Sequence, residues 1–217
     1  MIITQPDRVL LTEQIARHAG ALRGTLLDVG SGRSRRYASL LKNVTSYKTL
    51  DASTAGNPDI VGSAEKIPLP DGSIDSILCT QVLEHVPHPA TALQEMHRVL
   101  KSGGYILLTV PQMNELHEIP HDYFRYTCFG LRTLFEEAGF TIEALEQRGK
   151  YRATAMQMRI RYLIDRFHPY ENRFAMLLLA PLTYLLTHIA IFLDSLVRNE
   201  ASKRHAIGWC VLATKPS

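Results

Sequence analysis

The sequence has few cysteines, and their positions exclude two kinds of small, cross-linked domain. Cys79, Cys128 and Cys210 are far apart in the 217 residues and form no CxxC pair. This pattern argues against a disulfide framework and against a zinc site, and it fits a reducing compartment. We therefore expect no disulfide and no bound metal.

The sequence also lacks a strong charge of either sign and a leader segment. The formal net charge is only +3, which gives no reason to expect a nucleic-acid partner. No basic region followed by an apolar run stands at the N-terminus, so we predict no signal peptide and a cytoplasmic location. Hydrophobic residues make up 46% of the chain and charged residues 21%, which indicates one globular domain over residues 1–217.

Apolar runs alternate with amphipathic segments along the first half of the chain. Strands are predicted at residues 25–29, 47–50, 59–61, 74–80 and 105–110, and helices at residues 5–19, 35–42 and 89–100. This alternation is typical of an α/β fold, a parallel sheet covered by helices on both faces. In the second half, helices are predicted at residues 131–138 and 151–167, and strands at residues 140–146 and 207–214.

A glycine turn follows the first predicted strand, and an acid ends the second. Asp28 precedes Gly30 and Gly32, whose backbone N–H groups can approach a ligand closely at the carboxyl edge of the sheet. Asp51 can accept hydrogen bonds from ribose hydroxyls there. Alternatively, this is an ordinary turn beside a solvated aspartate. The third glycine of a dinucleotide fingerprint is replaced by Arg35, which disfavours an NAD-dependent oxidoreductase.

Four motifs occur in a fixed order: LLDVGSGRS, KTLDAS, GSAEKIPLPDGSIDSILCTQVLEHV and MHRVLKSGGYILLTVP. Together they resemble the class I S-adenosylmethionine-dependent methyltransferase superfamily, within it the small-molecule branch compared with ubiquinone and menaquinone methyltransferases. The resemblance covers residues 25–111 and continues loosely to residue 140. It implies a Rossmann-like three-layer sandwich, with a seven-stranded, mostly parallel sheet and an antiparallel last strand, and S-adenosylmethionine as cofactor.

The resemblance also assigns residues to the cofactor. It implies a methionine-binding group with Gln81, a ribose-binding acid and an adenine-binding pair. The full set is Asp28, Gly30, Ser31, Gly32, Asp51, Ala52, Ala64, Glu65 and Gln81. Two positions depart from the family: Ser34 stands where a glycine is usual, and Ser63 where an acid is common. These departures leave open a weaker affinity or an inactive member.

The half of the chain from residue 112 onward is expected to bind the methyl acceptor, opposite a cofactor-binding half at residues 1–111. A segment at residues 120–126 mixes aromatic rings with charged groups at the ligand-binding edge of the sheet. We expect Asp122, Tyr123, Arg125 and Tyr126 to bind the acceptor. His121 is the first candidate for a catalytic base and His85 the second. Alternatively, the segment is a lid whose rings cover the core.

Residues 174–193 form an apolar segment of 20 residues with no charged side chain, within a helical insertion predicted at residues 151–205. Its length suits a transmembrane helix. A single crossing, however, would separate two strands that the family pairs, at residues 140–146 and 207–214. We expect peripheral contact with the inner face of the cytoplasmic membrane. A dip into the bilayer that turns at Pro181, a buried helix pair and a dimer interface are the alternatives.

These features favour O-methylation of a small acceptor that is part of a glycan or linked to a lipid. C-methylation of an isoprenoid quinone would also explain the apolar segment. A non-catalytic protein of the same fold, associated with a membrane enzyme, is the alternative from another class. The oligomeric state is left open.

Overall fold

The computed structural model describes residues 3–32 and 35–216, and at residue 203 it describes the backbone only. The seven strands of its sheet are β1 (Gly24–Val29), β2 (Val44–Asp51), β3 (Ile60–Val61), β4 (Ile74–Thr80), β5 (Leu100–Pro111), β6 (Thr141–Arg148) and β7 (Gly208–Thr214). The α-helices are α1 (Pro6–His18), α2 (Pro89–Val99), α3 (Cys128–Glu137), α4 (Tyr151–Phe167), α5 (Arg173–Leu196) and α6 (Glu200–Lys203).

The strands lie in the order β3-β2-β1-β4-β5-β7-β6. β1 pairs in parallel with β2 and β4, whereas β7 runs antiparallel between β5 and β6. The predicted Rossmann-like sheet with an antiparallel last strand is therefore confirmed. The strand order reverses beside β1, and such a switch point leaves a crevice at the carboxyl edge of the sheet.

Each face of the sheet is covered by a separate hydrophobic core, which gives the predicted three layers. On one face, α2 and α3 pack on the sheet through side chains such as Leu93 and Phe135. On the other face, Leu11 and Ile15 of α1 pack against Leu26 and other strand residues. Because both faces of the sheet are covered, most residues of β1 and β4 are buried.

The helix predicted at residues 35–42 is wrong: the described part of this segment holds only a 3₁₀ turn, Ala38–Leu40. The chain must return along the whole of β1, since Val44 pairs with Gly24 at the far end of that strand. Six strand residues span about 20 Å, whereas an eight-residue α-helix spans about 12 Å. A more extended path is therefore required.

Helices α4 and α5 form an antiparallel hairpin between β6 and β7, and a buried acid fastens it. The Asp194 carboxylate, near the end of α5, accepts hydrogen bonds from the amides of Lys150, Arg152 and Ala153 at 2.9 to 3.1 Å. These are orphan N–H groups at the start of α4. β6 leads into the hairpin and β7 follows it. Arg148 at the end of β6 pairs with Gly208 at the start of β7, so the hairpin begins and ends at the same edge of the sheet.

Helix α5 is long and apolar enough to cross a membrane, with a mean hydropathy of 2.0, yet only 22% of its apolar window is buried. The helix continues through Pro181, which disfavours the alternative in which the segment turns back at that residue. Its buried residues are small or polar, and most of its large apolar residues are exposed. The buried set is Ala180, Thr183, Thr187, Ala190 and Asp194.

Candidate functional site

A cleft of about 530 Å³ opens at the carboxyl edge of the sheet, beside the switch point. It brings together seven of the nine residues predicted to bind the cofactor and both candidate histidines. The lining residues are Val29, Gly30, Gly32, Leu50, Asp51, Ala52, Ser53, Gly62, Ser63, Ala64, Glu65, Gln81, Val82, His85, Val86, Pro87, Glu118 and His121. We call this space the main cleft.

The glycine turn and the acid that ends β2 face each other across one end of the main cleft. The Asp51 carboxylate accepts hydrogen bonds from the amides of Gly32 at 2.9 Å and Ser53 at 2.8 Å, one on each oxygen. Each carboxylate oxygen has a second lone pair for a ligand hydroxyl. Gly30 adopts a φ of +69°, and a Cβ built there would lie 2.3 Å from a methyl group of Val82. Only glycine fits this turn.

At the opposite end of the main cleft, polar atoms are engaged in local hydrogen bonds. Ser63 Oγ accepts from the amide of Glu65 at 3.1 Å, and the Glu65 carboxylate accepts from the amide of His88 at 3.0 Å. The Ser63 hydroxyl therefore shapes the turn that carries Ala64 and Glu65. The other departure, Ser34, lies outside the described residues.

Asp28 and Ser31 do not line the main cleft, unlike the rest of the predicted set. They line an adjoining cavity of about 240 Å³, together with Gly30, Gly32 and Gln81. Tyr47 donates a hydrogen bond of 2.6 Å to the Asp28 carboxylate. Burial raises the pKa of Asp28 to about 7, and Tyr47 lowers it in part. Asp28 can therefore exchange a proton near neutral pH.

Gln81 follows β4 with a left-handed φ of +55°. With its carboxamide oxygen turned toward β5, the side chain accepts from Arg148 Nη2 at 3.1 Å. Arg148 is fully buried, and Gly208 leaves it room, since a Cβ at that glycine would lie 2.1 Å from Nη2. No local sequence pattern indicates this arginine, because it stands at the end of β6, far from Gln81 in the sequence.

Two residues predicted to bind the acceptor bind each other instead. Arg125 donates to both oxygens of Asp122 at 2.6 and 2.7 Å, and also to the carbonyl of Glu115 at 2.7 Å. The pKa of Asp122 is held far below its usual range by this arginine, and its side chain is only 1% exposed. The pair fixes the loop of residues 112–127 and leaves little of either group for an acceptor.

Tyr126 is also placed differently from the prediction. Its ring is buried, and its hydroxyl donates to the carbonyl of Leu83 at 2.9 Å, so it supports the segment beneath the cleft. Tyr123 is exposed, and its hydroxyl lies 3.2 Å from Nδ1 of His121. Of the four predicted residues, Tyr123 is therefore the one whose side chain is free to meet a ligand.

The two candidate bases are linked. His85 donates from Nδ1 to the carbonyl of His121 at 2.6 Å, because a carbonyl can only accept. This leaves Nε2 of His85 unprotonated in the neutral ring. His85 lines both the main cleft and a second cavity, whereas His121 lines the main cleft but not the second cavity.

The second cavity, of about 270 Å³, adjoins the main cleft through Gln81, His85 and Glu118. We call it the polar chamber, because only a leucine and a tyrosine interrupt its polar lining. Its residues are Gln5, Asp7, Arg8, Leu11, Arg36, Tyr37, Gln81, His85, Asn114, Glu115, His117, Glu118, Gln157 and Arg161. Helices α1 and α4 supply several of them, which no local sequence pattern indicates.

Glu84 lies beside His85, beneath both cavities. Its side chain is completely buried, and no other residue in the described part of the chain hydrogen-bonds to either carboxylate oxygen. Burial raises the pKa of Glu84 to about 8, although Arg148 and Arg125 lower it in part. Burying an acid without hydrogen bonds costs free energy, so such groups are uncommon in folded proteins.

Known proteins share this architecture. Residues 27–108 match a methyltransferase domain family. A ubiquinone/menaquinone biosynthesis C-methyltransferase, UbiE, of Pseudomonas aeruginosa (strain LESB58) is 37% identical over 100 residues, which are 45% of this chain and 36% of the relative. The chain thus spans little more than a third of that relative's length.

Solved structures match over a larger part of the chain. The [4+2]-cyclase SpnF has a TM-score of 0.63 at 20% identity, over 97% of this chain and 81% of that one. A SAM-dependent methyltransferase of Aquifex aeolicus has a TM-score of 0.53 at 22% identity, over 66% of this chain and 88% of that one. These solved structures share the fold of this chain, and its residues 27–108 are similar to a methyltransferase domain family.

Proposed function

We propose that this protein binds S-adenosylmethionine in the main cleft and transfers its methyl group to a polar acceptor. One observation carries this proposal: Asp51 and the Gly32 amide meet at one end of a cleft whose other walls carry Ala64, Glu65 and Gln81. A carboxylate at the end of β2 suits ribose hydroxyls, and the glycine turn admits the methionine part. Asp28 and Ser31 would complete that end through the adjoining cavity.

We propose that the polar chamber holds the acceptor. It opens beside Gln81 and His85, next to the expected position of the methyl donor. Its lining mixes three arginines with three carboxylates, and Arg161 pairs with Glu115. Donors and acceptors of both kinds suit a hydroxyl-rich group. A glycan fits this lining better than the ring of a quinone. The acceptor side then draws on both the predicted halves of the chain, since Arg8 and Arg36 precede residue 111.

The chemistry asks mainly for alignment. S-adenosylmethionine supplies a methyl group on a sulfonium, from which a neutral thioether leaves. Holding the acceptor oxygen in line with the methyl carbon can contribute on the order of 7–11 kcal/mol. The O–C bond forms as the C–S bond breaks, and the hydroxyl proton passes to a base. His121, on the cleft wall with its Nδ1 near Tyr123, is our candidate for that base.

Transfer of a labelled methyl group tests this function. We expect the protein, given methyl-labelled S-adenosylmethionine and a membrane extract containing glycolipids and quinones, to label the glycolipids. Acid hydrolysis should then release the label as a methylated sugar into the aqueous phase. Label retained in the organic phase as a quinone would support C-methylation instead. Cofactor binding with no labelled product from any extract would favour a non-catalytic protein.

We further propose that the outer face of α5 lies on a membrane surface. Its large apolar side chains recur every three or four residues, as on a surface-seeking helix. Those exposed are Phe174, Leu177, Leu178, Leu182, Tyr184, Leu185, Ile189, Phe192, Leu193 and Leu196. Residues 148–205 contain ten Lys and Arg against four Asp and Glu, which suits anionic lipid heads. The acceptor would then be lipid-linked.

Vesicle flotation tests the membrane contact. We expect the protein to float with vesicles that contain anionic lipid, and the double variant Leu178→Glu/Leu185→Glu to remain at the bottom, since both side chains are more than half exposed on α5. Phe129→Glu, an equally exposed apolar position on α3, is the control and should still float. The proposal would be contradicted if the unaltered protein did not float and formed a stable dimer, while the double variant was a monomer.

A further inference from the structure

Three side chains that ligate metals converge between the main cleft and the polar chamber. One ligand atom from each of Glu84, His85 and His117 lies within 4.8 Å of the others. We call this group the His–Glu cluster. Glu84 and His85 belong to one 3₁₀ turn, Leu83–His85, and His117 comes from the loop of residues 112–127. The rings of His85 and His117 meet edge to face, with centroids 4.8 Å apart.

No other residue in the described part of the chain hydrogen-bonds to the carboxylate of the cluster. Glu84 is fully buried, and Nε2 of His85 lies 3.9 Å from one of its oxygens. Ligands at about 2.0–2.1 Å from a tetrahedral ion are roughly 3.4 Å apart. Small side-chain rotations would therefore bring these atoms to coordination distance. An ion placed there would satisfy the buried carboxylate.

Both histidines already have the orientation that a metal ligand needs. Nδ1 of His85 donates to the carbonyl of His121 at 2.6 Å, and Nδ1 of His117 lies 3.1 Å from the carbonyl of Glu115. A backbone carbonyl that accepts from Nδ1, as at His85, leaves Nε2 of that ring free as a ligand. The salt bridge of Asp122 and Arg125 holds the loop in place, since Asp122 also accepts from the amide of His117 at 3.0 Å.

We propose that the His–Glu cluster binds a divalent transition-metal ion, of which Zn²⁺ is the natural probe. Two imidazoles and one carboxylate form a ligand set that leaves a coordination position open for another group. The Glu118 carboxylate lies 4.0 Å from Nε2 of His85 but is mostly exposed, so it is not counted among the ligands. The cysteine pattern argued against a zinc site, but these donors are nitrogen and oxygen.

The position of the ion indicates a role in catalysis, and this role rests on the proposed function. His85 and Glu118 line both cavities, so the open coordination position lies between the donor and the acceptor. An acceptor hydroxyl bound there would lose its proton more readily, because a cation stabilises the alkoxide. The proton would pass to the candidate base His121, and the alkoxide would form the new O–C bond. His85 would then be a ligand and not the base.

Metal binding can be tested without any acceptor. After dialysis against a chelator, we expect titration with Zn²⁺ to show one tight site per chain, and the Co²⁺-loaded protein to show a ligand-field spectrum. His117→Ala and Glu84→Gln should each weaken binding of Zn²⁺ by about 100-fold or more, since each removes a ligand. His188→Ala, an exposed histidine on α5, is the matched control and should leave the affinity unchanged.

Binding of S-adenosylhomocysteine to the same variants separates the two proposals. We expect His117→Ala to bind S-adenosylhomocysteine with unchanged affinity. This result would show that the variant is folded and that cofactor binding does not depend on the metal site. Equal affinity for Zn²⁺ in His117→Ala and in the unaltered protein would overturn the metal site. The unaltered protein could bind Zn²⁺ tightly, lose the ion in both variants, and yet transfer no methyl group. That result would leave the metal site in place and refute only its catalytic role.

Discussion

Replacing Asp51 with alanine is expected to lower the affinity for S-adenosylhomocysteine by about 100-fold or more. Its carboxylate has one free lone pair on each oxygen, directed to the main cleft beside the glycine turn. Two hydrogen bonds from ribose hydroxyls to a charged acceptor contribute about 1.5–3 kcal/mol each. Their joint loss of about 3 kcal/mol corresponds to this factor in the dissociation constant.

Isothermal titration gives the measurement, and two further variants show whether the effect is local. Asp51→Asn keeps one acceptor oxygen and should give an intermediate affinity. Asp71→Ala removes a mostly exposed aspartate that pairs with Arg98 on the surface, and it should bind like the unaltered protein. If Asp51→Ala bound within threefold of the unaltered protein, ribose recognition by this acid would be refuted.

Replacing Gly30 with alanine is expected to have the largest effect on the fold around the site. The new Cβ would overlap Val82, 2.3 Å from one methyl group, at a φ of +69° that alanine avoids. Overpacking and backbone strain each cost about 1–3 kcal/mol, so we expect the free energy of unfolding to fall by about 3 kcal/mol or more. Binding of S-adenosylhomocysteine should become undetectable.

Gly32 provides the matched control, because its φ of +59° is similar but no atom of the described residues lies within 4 Å of a Cβ built there. Gly32→Ala should therefore cost only about 1 kcal/mol, from the backbone alone. Adding Val82→Ala to Gly30→Ala should recover part of the lost stability. Denaturant unfolding measures all four proteins. Equal losses for the two glycine variants would show that the contact with Val82 is unimportant.

The parts of the fold that the sequence predicts are those governed by local pattern. β4 was predicted with its observed bounds, because a turn and an apolar run delimit it. The antiparallel β7 followed from the family resemblance. The segment at residues 35–42 was misread, because its helical spacing was outweighed by the distance that the chain must cover to begin β2. Local propensity is overridden where tertiary geometry sets the path.

The site divides in the same way. The ends of β1 and β2 meet because parallel neighbours end at one edge, so Asp51 and Gly32 could be brought together from sequence. The partnership of Asp122 with Arg125 could not, because a pocket and an internal ion pair use the same residue types. The polar chamber is not predicted at all, since Arg8 and Arg161 lie on different helices and are more than 150 residues apart in the sequence.

Helix α4 has one side in the polar chamber, through Gln157 and Arg161, and carries exposed Met158 and Tyr162 on its outer side. With the acceptor bound in the polar chamber as proposed, only the thickness of a single helix, about 10–12 Å, would separate its hydroxyl from a bilayer that meets the outer side of α4. Such a short reach selects acceptors by the spacing between their anchor and the methylated atom. Sugars next to a lipid phosphate could be modified without being extracted, whereas sugars farther along a chain would extend past the entrance.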